Sequence, residues 1–180
     1  MGANSEDIRK AVGTIAKLTL IVVIAASVLT VTYEVTERRI SANNELAPVF
    51  SQVMPGAAQF KPVVGEGNEI VYYEAYNEEG RLIGYTFVAE KEGFKGPIEI
   101  VGGVDLNYKV TAIMVIKQTE TPGLGAKIAT PGFQGQFSGV SVEELNLSPE
   151  GKIDAVTGAT ISSQAVVDAI REKVTEIETG

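Results

Sequence analysis

The chain has 180 residues and a formal net charge of −8, and it contains no cysteine and no histidine. Those two absences exclude thiolate nucleophiles, disulfides, Fe–S ligation by this chain, imidazole bases and most zinc or haem sites, so any redox chemistry must sit on an organic cofactor. Met1 to Arg39 hold five basic and four acidic residues, leaving ten basic and nineteen acidic for the rest. A surface that acidic repels polyphosphate, so nucleic acid is not expected as a partner.

Residues 1–10 read as a short charged N-terminus. From Ala11 to Tyr33 the only charge is Lys17, and Leu18 to Tyr33 is dense in Leu, Ile, Val and Ala. At ~1.5 Å per residue this stretch reaches across a ~30 Å hydrocarbon layer, with the Lys17 stem snorkelling toward the headgroups. Arg9, Lys10 and Lys17 precede the apolar run, and Arg38 and Arg39 follow it beside Glu34 and Glu37. Three basic residues against two orient the N-terminus inside and the following domain outside. Ala25 and Ser27 also fit a small-x-small cleavage site; the reading adopted is a retained anchor in the lipid of the inner (plasma) membrane.

Residues 34–69 are expected to be a helical linker. Within it Ser41 to Met54 forms a helix with Leu46, Val49, Phe50 and Val53 on one side, stopped by Pro55 and Gly56 and followed by a dozen loop residues. The domain proper is expected over 70–180. Ile70 to Tyr76 and Arg81 to Glu90 are β-rich runs around Asn77-Glu78-Glu79-Gly80, and Ile98 to Val104 and Val110 to Lys117 repeat the arrangement around Asp105 to Lys109. Two hairpins predict an antiparallel sheet. Glu120 to Gly139 is too irregular for one element, yet Leu124, Ile128, Phe133 and Phe137 argue against a plain linker. Lys152 to Val156 reads as a strand that turns through Thr157-Gly158-Ala159-Thr160 into a helix. In that helix Val166, Ala169, Ile170, Val174 and Ile177 share one face, and Ser162 or Ser163 is available as a cap. The fold class is α+β: one transmembrane helix, then an antiparallel sheet with flanking helices.

Asp154-Ala155-Val156-Thr157-Gly158-Ala159-Thr160 is the sharpest local signal. Gly158 allows a tight turn, small Ala159 lets a ligand approach the backbone, and Thr160 places a hydroxyl at a helix N-terminus, where unpaired amides and a partial positive charge favour a phosphate. The same letters also fit an ordinary strand-to-helix turn with a threonine near the cap. Glu120-Thr121-Pro122-Gly123-Leu124-Gly125-Ala126-Lys127 sets two glycines and a proline around one leucine. It is not a Rossmann fingerprint, because Ile128 stands where a third glycine belongs, and the spacing to Lys127 is too short for a Walker loop. By itself it can be a ligand loop or a purely structural turn.

Together with Gly93-Phe94-Lys95-Gly96-Pro97-Ile98, these segments resemble, in the same order, the FMN-binding domains of the G subunit of the Rnf complex and the C subunit of the sodium-pumping NADH:quinone reductase. The length of 180 residues favours the Rnf side of that resemblance. The resemblance implies a covalent FMN whose phosphate is esterified by a flavin transferase to Thr160, within a recognition sequence that includes Asp154, Thr157, Gly158 and Ala159. It also implies that Glu120, Thr121, Gly123, Leu124 and Gly125 belong to the flavin site, with Leu124 against the ring. No residue is implied as a general acid or base, and no metal site is expected. The implied function is an electron carrier among the other subunits of a complex that couples electron flow between ferredoxin and NAD to sodium-ion or proton movement; a stand-alone membrane-tethered flavoprotein would share every motif. The family often has a basic residue or histidine just before Glu-Thr-Pro, where this chain has Gln118 and Thr119. A histidine-dependent proton step there is therefore not expected.

Overall fold

The computed structural model describes residues 46–65, 67 and 69–179. The expected N-terminal segment, the membrane helix over 11–33 and the stretch 34–45 lie outside the described residues. Among the described residues no helix is long and apolar enough to cross a membrane.

Five strands form one antiparallel sheet in sequence order: β1 (Gln59–Val64), β2 (Ile70–Tyr76), β3 (Leu82–Glu92), β4 (Pro97–Asp105) and β5 (Val110–Lys117). Both expected hairpins are present, and their turns share one device. Asn77 Oδ1 accepts the Glu79 and Arg81 amides at 3.1 and 2.9 Å, and Asp105 Oδ1 accepts those of Asn107 and Lys109 at 2.8 and 3.0 Å. A short side-chain acceptor that mimics the backbone is what makes Asn and Asp turn residues. The hairpins are joined by a third turn, Gly93 to Gly96, closed by a 2.9 Å hydrogen bond from the Gly93 amide to the Gly96 carbonyl. From it β3 and β4 pair without a bulge from Glu92↔Pro97 to Gly84↔Asp105.

The sequence predicts loop where β1 stands. Pro62 has no N–H to donate, which argues against a strand interior, but β1 is the sheet edge and a proline is tolerated there. The structured unit also begins earlier than residue 70, because residues 46–53 are helical (α1) and bury Phe50 and Val53 against Tyr73 and Val101 on one sheet face.

The opposite face carries a long helix, here α3 (Thr160–Thr179), whose Val166, Ala169, Ile170, Val174 and Ile177 are all buried. They meet Phe87, Ala89, Ile98 and Ile100 of the sheet. Each such aliphatic side chain removed from water contributes on the order of 1.5–3 kcal/mol. Between β5 and α3 the chain makes a 3-10 turn (Gly125–Ala129), a short helix α2 (Pro131–Gln134) and further 3-10 turns. Ile128, Phe133 and Phe137 of this stretch are buried in the same core, whereas Leu124 is left 46% exposed.

Two local expectations are corrected. Residues 154–156 are not a strand: only Ile153 bridges to Leu147, and beyond it the Gln136 side chain takes both backbone groups of Asp154, its N–H at 2.7 Å and its carbonyl at 3.3 Å. Ser162 and Ser163 do not cap α3, because the helix has already begun at Thr160. Ser163 Oγ instead donates to the Ala159 carbonyl and accepts the Val156 amide, each at 3.0 Å, so it ties the preceding turn to the helix.

Candidate functional site

The sheet places the Gly93–Gly96 turn at the end of the β3–β4 hairpin, beside the start of α3 and the loop that follows β5. These three segments enclose a cavity of about 390 Å³. Phe94 lines it from the turn, Glu120, Thr121, Leu124 and Gly125 from the loop, and Gly158 to Ser162 from the start of α3.

The wall is predominantly apolar. Phe94, Leu124 and Ile161 are among the few large hydrophobic side chains left open to solvent, and all three line this cavity. Three such side chains converging on one concavity form a surface that suits a flat apolar ligand, and the volume lies within the ~300–1,000 Å³ of small-molecule pockets. Gly125, Gly158 and Ala159 line the cavity between them without bulky side chains.

Gly158 has φ +77°, a conformation L side chains rarely adopt, and it makes the sharp entry into α3. The Ala159 amide closes that turn on the Val156 carbonyl at 2.9 Å. Thr160 is then the first residue of α3 and is exposed. The first helical turn has amides with no intrahelical acceptor and carries the positive end of the helix dipole. Thr160 and Ile161 also border a second groove with Lys91, Gln164 and Asp168, so Thr160 stands between two concavities.

Glu120 is 4% exposed. Its Oε1 accepts the Lys95 amide at 2.9 Å and its Oε2 accepts the Ser162 hydroxyl at 2.5 Å. Burial works against ionisation, but hydrogen bonds from the Lys95 amide, the Ser162 hydroxyl and the Phe94 amide outweigh it and hold the carboxyl below the usual carboxylate range.

Seven of the ten residues singled out from the sequence thus meet in one cavity: Glu120, Thr121, Leu124, Gly125, Gly158, Ala159 and Thr160. Asp154, Thr157 and Gly123 are exposed and do not line it. Gly123 is instead a turn residue at φ +76°. Phe94, Ile161 and Ser162 join the site without having been expected there. For Phe94 a signal was available: a phenylalanine between Gly93 and Gly96, at the tip of a tight turn, has no core to enter. Ser162 offers none, because its partner lies 42 positions away.

Residues 93–175 match the family of the FMN-binding domain. The chain is 36% identical over 182 residues to the G subunit of an ion-translocating oxidoreductase complex from Methanosarcina acetivorans, covering 96% of this chain and 95% of that one. It is 27% identical over 186 residues to the G subunit of the proton-translocating ferredoxin:NAD(+) oxidoreductase complex of Clostridium ljungdahlii, covering 98% and 97%. The crystal structure of Shewanella oneidensis NqrC shares the fold, with a TM-score of 0.50 at 13% identity over 71% of this chain and 74% of that one. With its FMN-binding domain and its near full-length similarity to these relatives, the chain belongs to the family of G subunits of ion-translocating oxidoreductase complexes.

Proposed function

We propose that the cavity holds FMN, esterified through its phosphate to Thr160 Oγ1, and that the chain is an electron-carrier subunit of a membrane complex coupling electron transfer between ferredoxin and NAD to sodium-ion or proton movement. The observation that carries the attachment point is the state of the four hydroxyls between residues 157 and 163. Ser162 and Ser163 are buried and hydrogen-bonded to Glu120 and to the Ala159 carbonyl. Thr157 is exposed but off the cavity wall. Thr160 alone is exposed, on the wall, and without a side-chain hydrogen bond among the described residues.

The residues fit the group. Phe94, Leu124 and Ile161 supply apolar surface for a ring system, and the first turn of α3 supplies amides and positive potential for a phosphate. FMN supplies the exchange of electrons; the protein holds it, orients it and limits its contact with water. An ester to Thr160 keeps a cofactor on the outer membrane face from being lost by dilution. The remaining parts of the reading are a single membrane pass over 11–33, the domain on the extracytoplasmic face, contacts with lipid and the other subunits, and maturation by a flavin transferase that reads Asp154 to Thr160.

The test is the intact mass of the chain co-expressed with a flavin transferase. The parent and Thr157→Ala should carry the flavin increment and Thr160→Ala should lack it. Covalent flavin on Thr160→Ala would sink the assignment.

A further inference from the structure

The three segments around the cavity come from distant parts of the sequence, and among the described residues no backbone-to-backbone hydrogen bond joins one to another. Their polar link is a single carboxylate. Glu120 Oε1 holds the Lys95 amide in the β3–β4 turn and Oε2 holds the Ser162 hydroxyl in the first turn of α3. We infer that Glu120 is a positioning residue: its carboxylate fixes the start of α3, and so Thr160, relative to the Phe94 turn and the Leu124 loop.

The surroundings are built for that carboxylate. A Cβ at Gly93 would lie 2.6 Å from Oε1, and one at Gly125 would lie 2.7 Å from Oε2 and 2.9 Å from Ser162 Oγ. Both glycines are therefore required by the approach of Glu120, whatever else the cavity holds. Glu120 borders the cavity but is only 4% exposed, and each of its oxygens accepts from a protein donor, so its effect on a ligand passes chiefly through the segments it joins. Ser162 lies two residues beyond Thr160 in the same helical turn, so releasing its hydroxyl releases the turn that carries the acceptor. A buried ionised group left without these donors would be strongly unfavourable, which makes the link cooperative: each leg stabilises the other.

The consequence for Thr160 rests on the proposed flavin attachment, so the test has two readouts on the full-length chain. Amide hydrogen exchange is followed in the unloaded protein over 93–96 and over 163–166, the first α3 amides that bond back to the preceding turn. The initial rate of covalent flavin incorporation by a flavin transferase is followed by intact mass. Ser162→Ala and Glu120→Ala should raise exchange in both segments by about tenfold, with the β3 and β4 amides unchanged, and should slow incorporation by about fivefold or more. Glu120→Gln keeps an acceptor for Lys95 and turns an N–H toward Ser162 Oγ, so it should restore at least half of the parental rate. If Glu120→Ala does not fold, Ser162→Ala, which removes one hydroxyl, decides. Unchanged exchange and rate in Ser162→Ala would overturn the inference. Failure of the parent to take up flavin would overturn the attachment reading, and exchange would still decide the link.

Discussion

Leu124 lies over Gly158: a Cβ at Gly158 would sit 3.3 Å from Leu124 Cδ2, at a residue already held at φ +77°. The loop leucine and the turn glycine thus approach each other across the cavity mouth. Gly158→Ala must both adopt a left-handed conformation and displace Leu124. It should lose roughly 1–2 kcal/mol in denaturant unfolding and lower the yield of covalent flavin on Thr160. A variant as stable as the parent would mean that the turn relaxes freely.

Leu124→Asp tests the wall itself. The side chain is 46% exposed and lies outside both core clusters, so the domain should remain folded and Thr160 should still be flavinylated. With the flavin placed as proposed, a carboxylate at 124 opposes added electron density on the ring, so the visible band should shift and the reduction potential should fall. A spectrum and potential identical to those of the parent would show that this loop stands clear of the cofactor.

Gly102 pairs directly with Phe87 across β3 and β4, and the ring occupies the space a side chain would need: a Cβ would lie 2.4 Å from Phe87 Cζ. Gly102→Ala should overpack the core and lower stability by about 1–3 kcal/mol. Gly132→Ala, in the short helix α2 with nothing within 4 Å of its Cβ position, is the control and should stay within ~0.5 kcal/mol of the parent. The two melting curves separate a packing requirement from a general intolerance of substitution.

The Glu120 carboxyl sets a pH dependence. Its folded-state pKa is depressed below the ordinary value of 4.5, so its contribution is complete above that value and is lost as pH falls through the lower folded value. Unfolding measured from pH 6 downward should therefore show an acid-sensitive component below about pH 4.5 that is reduced in Glu120→Gln. Equal acid sensitivity in parent and variant would remove Glu120 as its source.

Residues 46–179 carry their own core, with α1 on one sheet face and α3 on the other. Deleting Met1 to Arg39 should give a domain that stays in the supernatant after membranes are pelleted and that still accepts flavin. Sedimentation with the membranes would contradict the division into anchor and domain.

Much of this molecule is legible without coordinates because its determinants are local. The face of α3 follows from the three-and-four spacing of Val166, Ala169, Ile170, Val174 and Ile177, and the hairpins follow from Asn77 and Asp105, whose side chains bond amides two and four residues away. Thr160 stands at a helix start for the same kind of reason, a glycine that permits one sharp turn. What only the tertiary structure decided depends on partners far away in the chain. Gln136 claims the backbone of Asp154 and so prevents the strand that Lys152 to Val156 suggest, while Pro62 is tolerated because β1 happens to be an edge. Ser162 has the letter of a cap, but it lies inside α3, and Glu120, 42 residues earlier, holds its hydroxyl. A side-chain hydrogen bond depends on positions in space, and periodicity carries no information about which distant segment will supply the other atom.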